Sequence, residues 1–120
     1  MIRGVKFASI PVTDQDRALK FYTETLGFRL VTDQPFSAEQ RWIELGIPGA
    51  ETRLVLFRFG EEMKPGGQMN VTFWTDDVEG TVAELKSKGV SILMEPKKAD
   101  WGTAAIFADL DGNRFLVGTK

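Results

Sequence analysis

The sequence contains no cysteine and no histidine. Without thiols there is no disulfide framework and no cysteine chemistry. Without imidazole the chain lacks the side chain most used near neutral pH as general base, proton shuttle and transition-metal ligand. Ser9, Ser37, Ser87 and Ser91 therefore have no histidine to activate them, which excludes a serine–histidine triad. Basic runs are equally scarce: none exceeds the pair Lys97-Lys98, and the net charge is −2. A nucleic-acid partner, which needs a basic face, is not expected. No apolar run approaches the length of a bilayer span, so neither a membrane segment nor a membrane partner is expected, and a cytoplasmic location is the default. Gly66-Gly67 and Gly112 occur without GxGxxG or P-loop spacing and read as turn residues.

What is present describes an ordinary globular chain. Its 120 residues are 42% hydrophobic and 27% charged, which suits one compact domain covering 1–120. The organising signal is an internal repeat. Lys6 to Val12 and Gln68 to Trp74 are both rich in β-branched and aromatic residues, as strands prefer. Each leads into a short amphipathic helix, with Leu19, Tyr22 and Leu26 on one stripe and Val78, Val82 and Leu85 on the other. Asp14 and Asp76 or Asp77 stand as N-caps, and Glu79, three residues after Asp76, completes a capping-box pattern. Gly27 and Gly89 fall where each helix should end. Further strands are expected at Phe28–Thr32, Arg41–Ile47 and Thr52–Phe59, and again at Val90–Met94, Thr103–Ala108 and Arg114–Gly118. Pro48-Gly49 and Asp111-Gly112-Asn113 supply turns between them.

Each half thus reads β-α-β-β-β. The modules span 1–60 and 68–120, joined by a link at 61–67 that contains Pro65-Gly66-Gly67. The fold class is α+β: two tandem βαβββ modules whose curled sheets pair around a cleft, because one module alone would leave a sheet face bare. Spacing does not decide whether the modules pair within a chain or across a dimer.

Val12-Thr13-Asp14, Phe21-Tyr22 and Leu26-Gly27-Phe28, followed by Thr75-Asp76-Asp77-Val78 and Asp109-Leu110-Asp111-Gly112-Asn113, resemble the two modules of the vicinal oxygen chelate superfamily. That superfamily includes glyoxalase I, extradiol dioxygenases, fosfomycin-resistance enzymes and the bleomycin-resistance proteins. The resemblance covers essentially the whole chain. In the family's enzymes it implies one metal ligand on each of four cavity strands, typically His or Gln, Glu, His and Glu. Carried over, these positions are Phe7, seven residues before Asp14; Asn70, seven before Asp77; Val55 or its neighbour Leu56; and Leu116, four after Gly112. Three are apolar and one is a neutral amide, so no metal and no cofactor are expected.

The resemblance then implies a metal-free binding protein that sequesters an organic small molecule, as bleomycin-resistance proteins do, and a homodimer. Ligand contacts are expected from Phe7, Trp42, Arg53, Val55, Phe57, Asn70, Trp101 and Leu116. Trp42 and Trp101 offer aromatic faces, whereas Trp74 and Tyr22 are assigned to core packing. Arg53 shares a strand face with Val55 and Phe57 and suits a ligand carboxylate. Glu44 is the candidate catalytic residue for a rival reading, a metal-independent lyase or isomerase; burial among aromatics would raise its pKa toward that of a base. The placement expected for it is nonetheless a rim or solvent face. A third reading is an atypical metalloenzyme of the glyoxalase or dioxygenase kind, with carboxylate and amide ligands in unfamiliar positions.

Overall fold

In the computed structural model, residues 1–58 and 64–120 are described. The chain divides into two compact units, Met1–Pro65 and Gly66–Lys120. The first contains β1 (Phe7–Val12), α1 (Gln15–Lys20), a π-helical turn (Phe21–Thr25), β2 (Arg29–Pro35), β3 (Arg41–Gly46) and β4 (Arg53–Arg58). The second contains β5 (Gln68–Trp74), α2 (Val78–Ser87), β6 (Ser91–Ala99), β7 (Gly102–Ala108) and β8 (Arg114–Gly118). Their sheets run in the orders β1-β4-β3-β2 and β5-β8-β7-β6. In each, the first strand pairs in parallel with the last and the remaining pairs are antiparallel. The fold is α+β, with β-α-β-β-β order in both halves. Phe59, Gly60 and residues 61–63 of the expected link lie outside the described residues.

Two-residue alternation builds the first core. Ile43 and Leu45 on β3, with Leu54 and Leu56 on β4, are at most 2% exposed. On β1 the buried partners are Ile10 and Val12, and from the helical segment Ala18, Phe21 and Tyr22 join them. Asp14 caps α1 by accepting from the Arg17 amide at 3.1 Å. Gln15 is 6% exposed, and its amide donates to the carbonyls of Arg41 (2.7 Å) and Leu56 (3.0 Å) while accepting from the Arg41 amide at 3.0 Å. One side chain thereby ties the start of α1 to both β3 and β4. Arg41 continues the tie, forking onto Asp33 of β2 and meeting Asp16. This contact holds the Asp33 carboxyl below its ordinary value.

The expected single helical stripe is modified. Thr23 donates its hydroxyl to the Leu19 carbonyl at 2.7 Å, competing with the backbone ladder, and the Leu26 amide bonds instead to the Phe21 carbonyl. The wider turn buries Phe21 and Tyr22 together, while Leu19 and Leu26 are only half-buried.

In the second unit α2 buries Val78, Val82 and Leu85 as the spacing anticipates. Its cap is Asp77, which accepts from the Gly80 amide at 2.9 Å. That places Glu79 one residue too early for a capping box. Gly27 and Gly89 adopt φ of 79° and 81°, the left-handed conformation that ends a helix. Phe73, Phe107 and Phe115 form a ring cluster with centroids 5.1–6.2 Å apart. Lys97 and Lys98 lie on β6, an edge strand, where charge discourages pairing with another chain.

The β7–β8 turn is fastened by buried polar groups. The Asp109 carboxylate accepts from the Asp111 amide, the Asn113 amide and the Asn113 side chain at 2.8–2.9 Å. Asn113, fully buried, accepts in turn from the Gly66 amide at 2.9 Å. Replacing Asn113 by Ala strands these partners, and we expect a loss of about 2–3 kcal/mol in urea unfolding, with unchanged far-UV circular dichroism.

Candidate functional site

The same alternation that fills the first core turns a second set of residues to the opposite face of its sheet. Phe7 stands opposite Arg53, Ser9 opposite Val55, and Glu44 opposite Val55 across the next strand pair. Directly paired residues share a face, so Phe7, Trp42, Glu44, Arg53, Val55 and Phe57 lie together. Trp42 and Phe7 meet edge to face at 5.3 Å between centroids. Phe36, 68% exposed just beyond β2, lies tilted against Trp42 at 5.8 Å.

Between these rings runs a short polar chain. The Trp42 indole N–H donates to Glu44 Oε1 at 2.9 Å, and Arg53 Nη1 donates to Glu44 Oε2 at 3.1 Å. The Glu44 side chain is 15% exposed, less open than the expected solvent face. Its pKa is lowered, not raised: the hydrogen bonds from Trp42 and then Arg53 outweigh the cost of burial, with Lys6 adding a weaker pull. Glu44 is thus an ionised anchor for Arg53, poorly suited to taking a proton near neutral pH.

The remaining candidates belong to the second unit. Asn70 is exposed on β5 and Leu116 half-buried on β8, while Trp101 precedes β7 and is 64% exposed. Trp74 is 55% exposed, which overturns its assignment to the core: alternation along β5 sets it with Asn70 and Thr72, away from Phe73. The Lys120 ammonium sits 4.7 Å from the Trp74 ring, and a side chain at Gly118 would meet Trp101 at 3.9 Å. An open depression of about 290 Å³ beside the start of α2 is lined by Asp76, Asp77, Val78, Glu79, Thr103 and Thr119. One of its three carboxylates, Asp77, is already engaged as the helix cap. Phe36 and Trp74 were not among the expected contacts.

Phe7, Val55 and Leu116 offer no donor atom, and Asn70 offers only an amide. This donor set does not fit a divalent metal of the kind bound by imidazole and carboxylate. Among the described residues no three His, Cys, Asp or Glu side chains cluster as such a site requires, and no helix is long and apolar enough to cross a membrane.

Comparison with known proteins agrees with this architecture. Residues 4–117 match the Glyoxalase/Bleomycin resistance protein/Dioxygenase superfamily, and the chain belongs to that family. YetH of Bacillus subtilis (strain 168) is 38% identical over 122 residues, with 98% of each chain covered. A superfamily member from Sphaerobacter thermophilus DSM 20745 has a solved structure with a TM-score of 0.92 at 33% identity, covering 99% of this chain and 98% of that one. TnmS3, an antibiotic binding protein from Streptomyces sp. CB03234, has a TM-score of 0.89 at 39% identity, covering 98% and 96%.

The lowered pKa of Glu44 has a consequence for stability. A carboxyl that holds its proton less tightly when folded contributes fully above its usual value of 4.5, and the contribution fades as pH falls through the lower folded value. Arg53 is 49% exposed, so solvent screening limits the effect. We expect Glu44→Gln to cost about 0.5–1 kcal/mol at neutral pH. In urea unfolding at a series of pH values, the gap from the parent should close below the usual carboxyl range.

Proposed function

We propose that this protein binds an organic small molecule on the aromatic face of its first module, in the manner of a bleomycin-resistance protein and without a metal. The observation that carries the reading is the cluster of Phe7, Phe36 and Trp42 around the Glu44–Arg53 ion pair. Three rings at mutual edge and tilted angles leave aromatic surface for a planar ligand, and a polar pair at their margin can orient it. Half-buried Phe57 extends the apolar surface, backed by Val55, which is 1% exposed. Asn70, Trp101 and Leu116 are the second module's own candidate contacts, and the whole chain is read as one domain. The antibiotic-binding role of TnmS3, a relative across nearly the whole chain, supports this class of ligand. Glu44's engagement by Trp42 and Arg53 speaks against the rival general-base mechanism, and the donor set speaks against a metalloenzyme.

Two measurements test the proposal. Titration of intrinsic tryptophan fluorescence with planar aromatic antibiotics should give a saturable change. Trp42→Phe should remove most of that change and weaken binding about tenfold, or about 1.4 kcal/mol. No saturable response across the series would sink the binding role. Native mass spectrometry of the undialysed protein should give a homodimer without stoichiometric metal; a divalent ion that survives buffer exchange would bring the metalloenzyme reading forward. A cytoplasmic location fits sequestration of a ligand that has entered the cell.

A further inference from the structure

We infer that the ligand of this aromatic face carries a carboxylate or similar acidic oxygen group, received by Arg53 and Arg29; this rests on the binding role proposed above. One row of the first sheet carries the argument. Phe7 pairs with Arg53, Arg53 with Gly46, and Gly46 with Arg29, so all four belong to the same face. Two arginines thus flank a glycine at one end of the aromatic cluster. A β-carbon on Gly46 would lie 3.3 Å from Val31 Cγ2 and 3.8 Å from Arg29 Nη2. The Arg29 guanidinium thus lies over Gly46, in the row that also carries Arg53.

The charges at this end do not cancel. Both Glu44 oxygens are taken, one by Trp42 and one by Arg53, so its carboxylate is not open to a ligand cation. Arg53 gives Glu44 a single Nη1 hydrogen bond and keeps its other N–H groups on a half-exposed side chain. Arg29 is exposed and forms no ion pair among the described residues. Lys6 also acts electrostatically on Glu44. Three cations against one carboxylate make a local excess of positive charge in a chain whose net charge is −2. A guanidinium receives a planar carboxylate through paired N–H bonds, and the adjoining rings hold an aromatic body in plane with it. A cationic drug, the guest that net acidity alone would suggest, meets repulsion here.

Calorimetric titration of the 120-residue chain with 2-naphthoate, 2-naphthamide and 2-naphthylmethylammonium separates these cases. Naphthoate should bind at least about tenfold more tightly than the neutral amide, and its advantage should shrink as salt is raised. Arg53→Gln and Arg29→Gln should each narrow the naphthoate-to-naphthamide affinity ratio several-fold, with melting temperatures confirming that the variants fold; an unchanged ratio in both would overturn the assignment of these two arginines. Equal affinity for naphthoate and naphthamide, or tightest binding of the ammonium, would overturn the acidic-group inference and leave aromatic binding standing. No saturable binding of any of the three would overturn both.

Discussion

The register between β3 and β4 is the constraint on which both the core and the candidate site depend. Ile43 stands opposite Leu56 and Leu45 opposite Leu54, which closes the apolar face; in the same ladder Glu44 stands opposite Val55 and Gly46 opposite Arg53. A slip of one residue would send the leucines to the other face and pull Trp42, Glu44 and Arg53 into the core. The cost of exposing those buried aliphatic side chains therefore fixes the ion pair and the aromatic cluster, although none of the latter residues stabilises the fold strongly by itself. Gln15 reinforces the arrangement from outside the sheet by bonding to Arg41 at the start of β3 and to Leu56 within β4.

Much of this architecture was legible because its signals are local. A carboxylate at a helix start, a glycine at its end and alternation along a strand each act within a few residues, and Asp14, Asp77, Gly27 and Gly89 behave as those rules require. Alternation also assigned Trp42 and Glu44 to one face of β3. Trp74 shows the opposite error. Bulk and hydrophobicity argued for the core, but its position on β5, in step with Asn70 and Thr72, already argued for the other face. Where the two signals conflict, the pleat wins, because the backbone hydrogen bonds leave no freedom to turn one side chain around.

The parts that were not legible depend on contacts between distant residues. The π-helical turn follows from a threonine hydroxyl competing for a backbone carbonyl, which helix periodicity does not encode. The place of Arg29 beside Gly46 depends on the β2–β3 register and on the irregularity between Leu30 and Thr32. Phe36 reaches Trp42 only because β2 continues to Pro35, beyond its expected end at Thr32. Glu44 illustrates the electrostatic version of the same limit. Burial alone would raise its pKa, and the answer reverses once an indole N–H and a guanidinium are both aimed at the carboxylate.

The chemistry at the family's metal positions and the chemistry beside them complement each other. Carbon side chains at Phe7 and Val55 remove the donors that would hold a divalent ion, and with them a strong centre for organising an oxygen-bearing ligand. Arg53 occupies the position paired with Phe7, and in the proposed role its guanidinium would provide an acidic ligand with fixed positive charge and directional bonds. It differs from a metal in one respect that matters for function. A guanidinium neither activates water nor polarises a bound oxygen as a Lewis acid does, so the arginine-centred site proposed above would hold a guest without that route to transforming it. Retention without reaction is the property that the proposed sequestering role needs, and the proposal assigns it in this first module to Phe7, Val55 and Arg53.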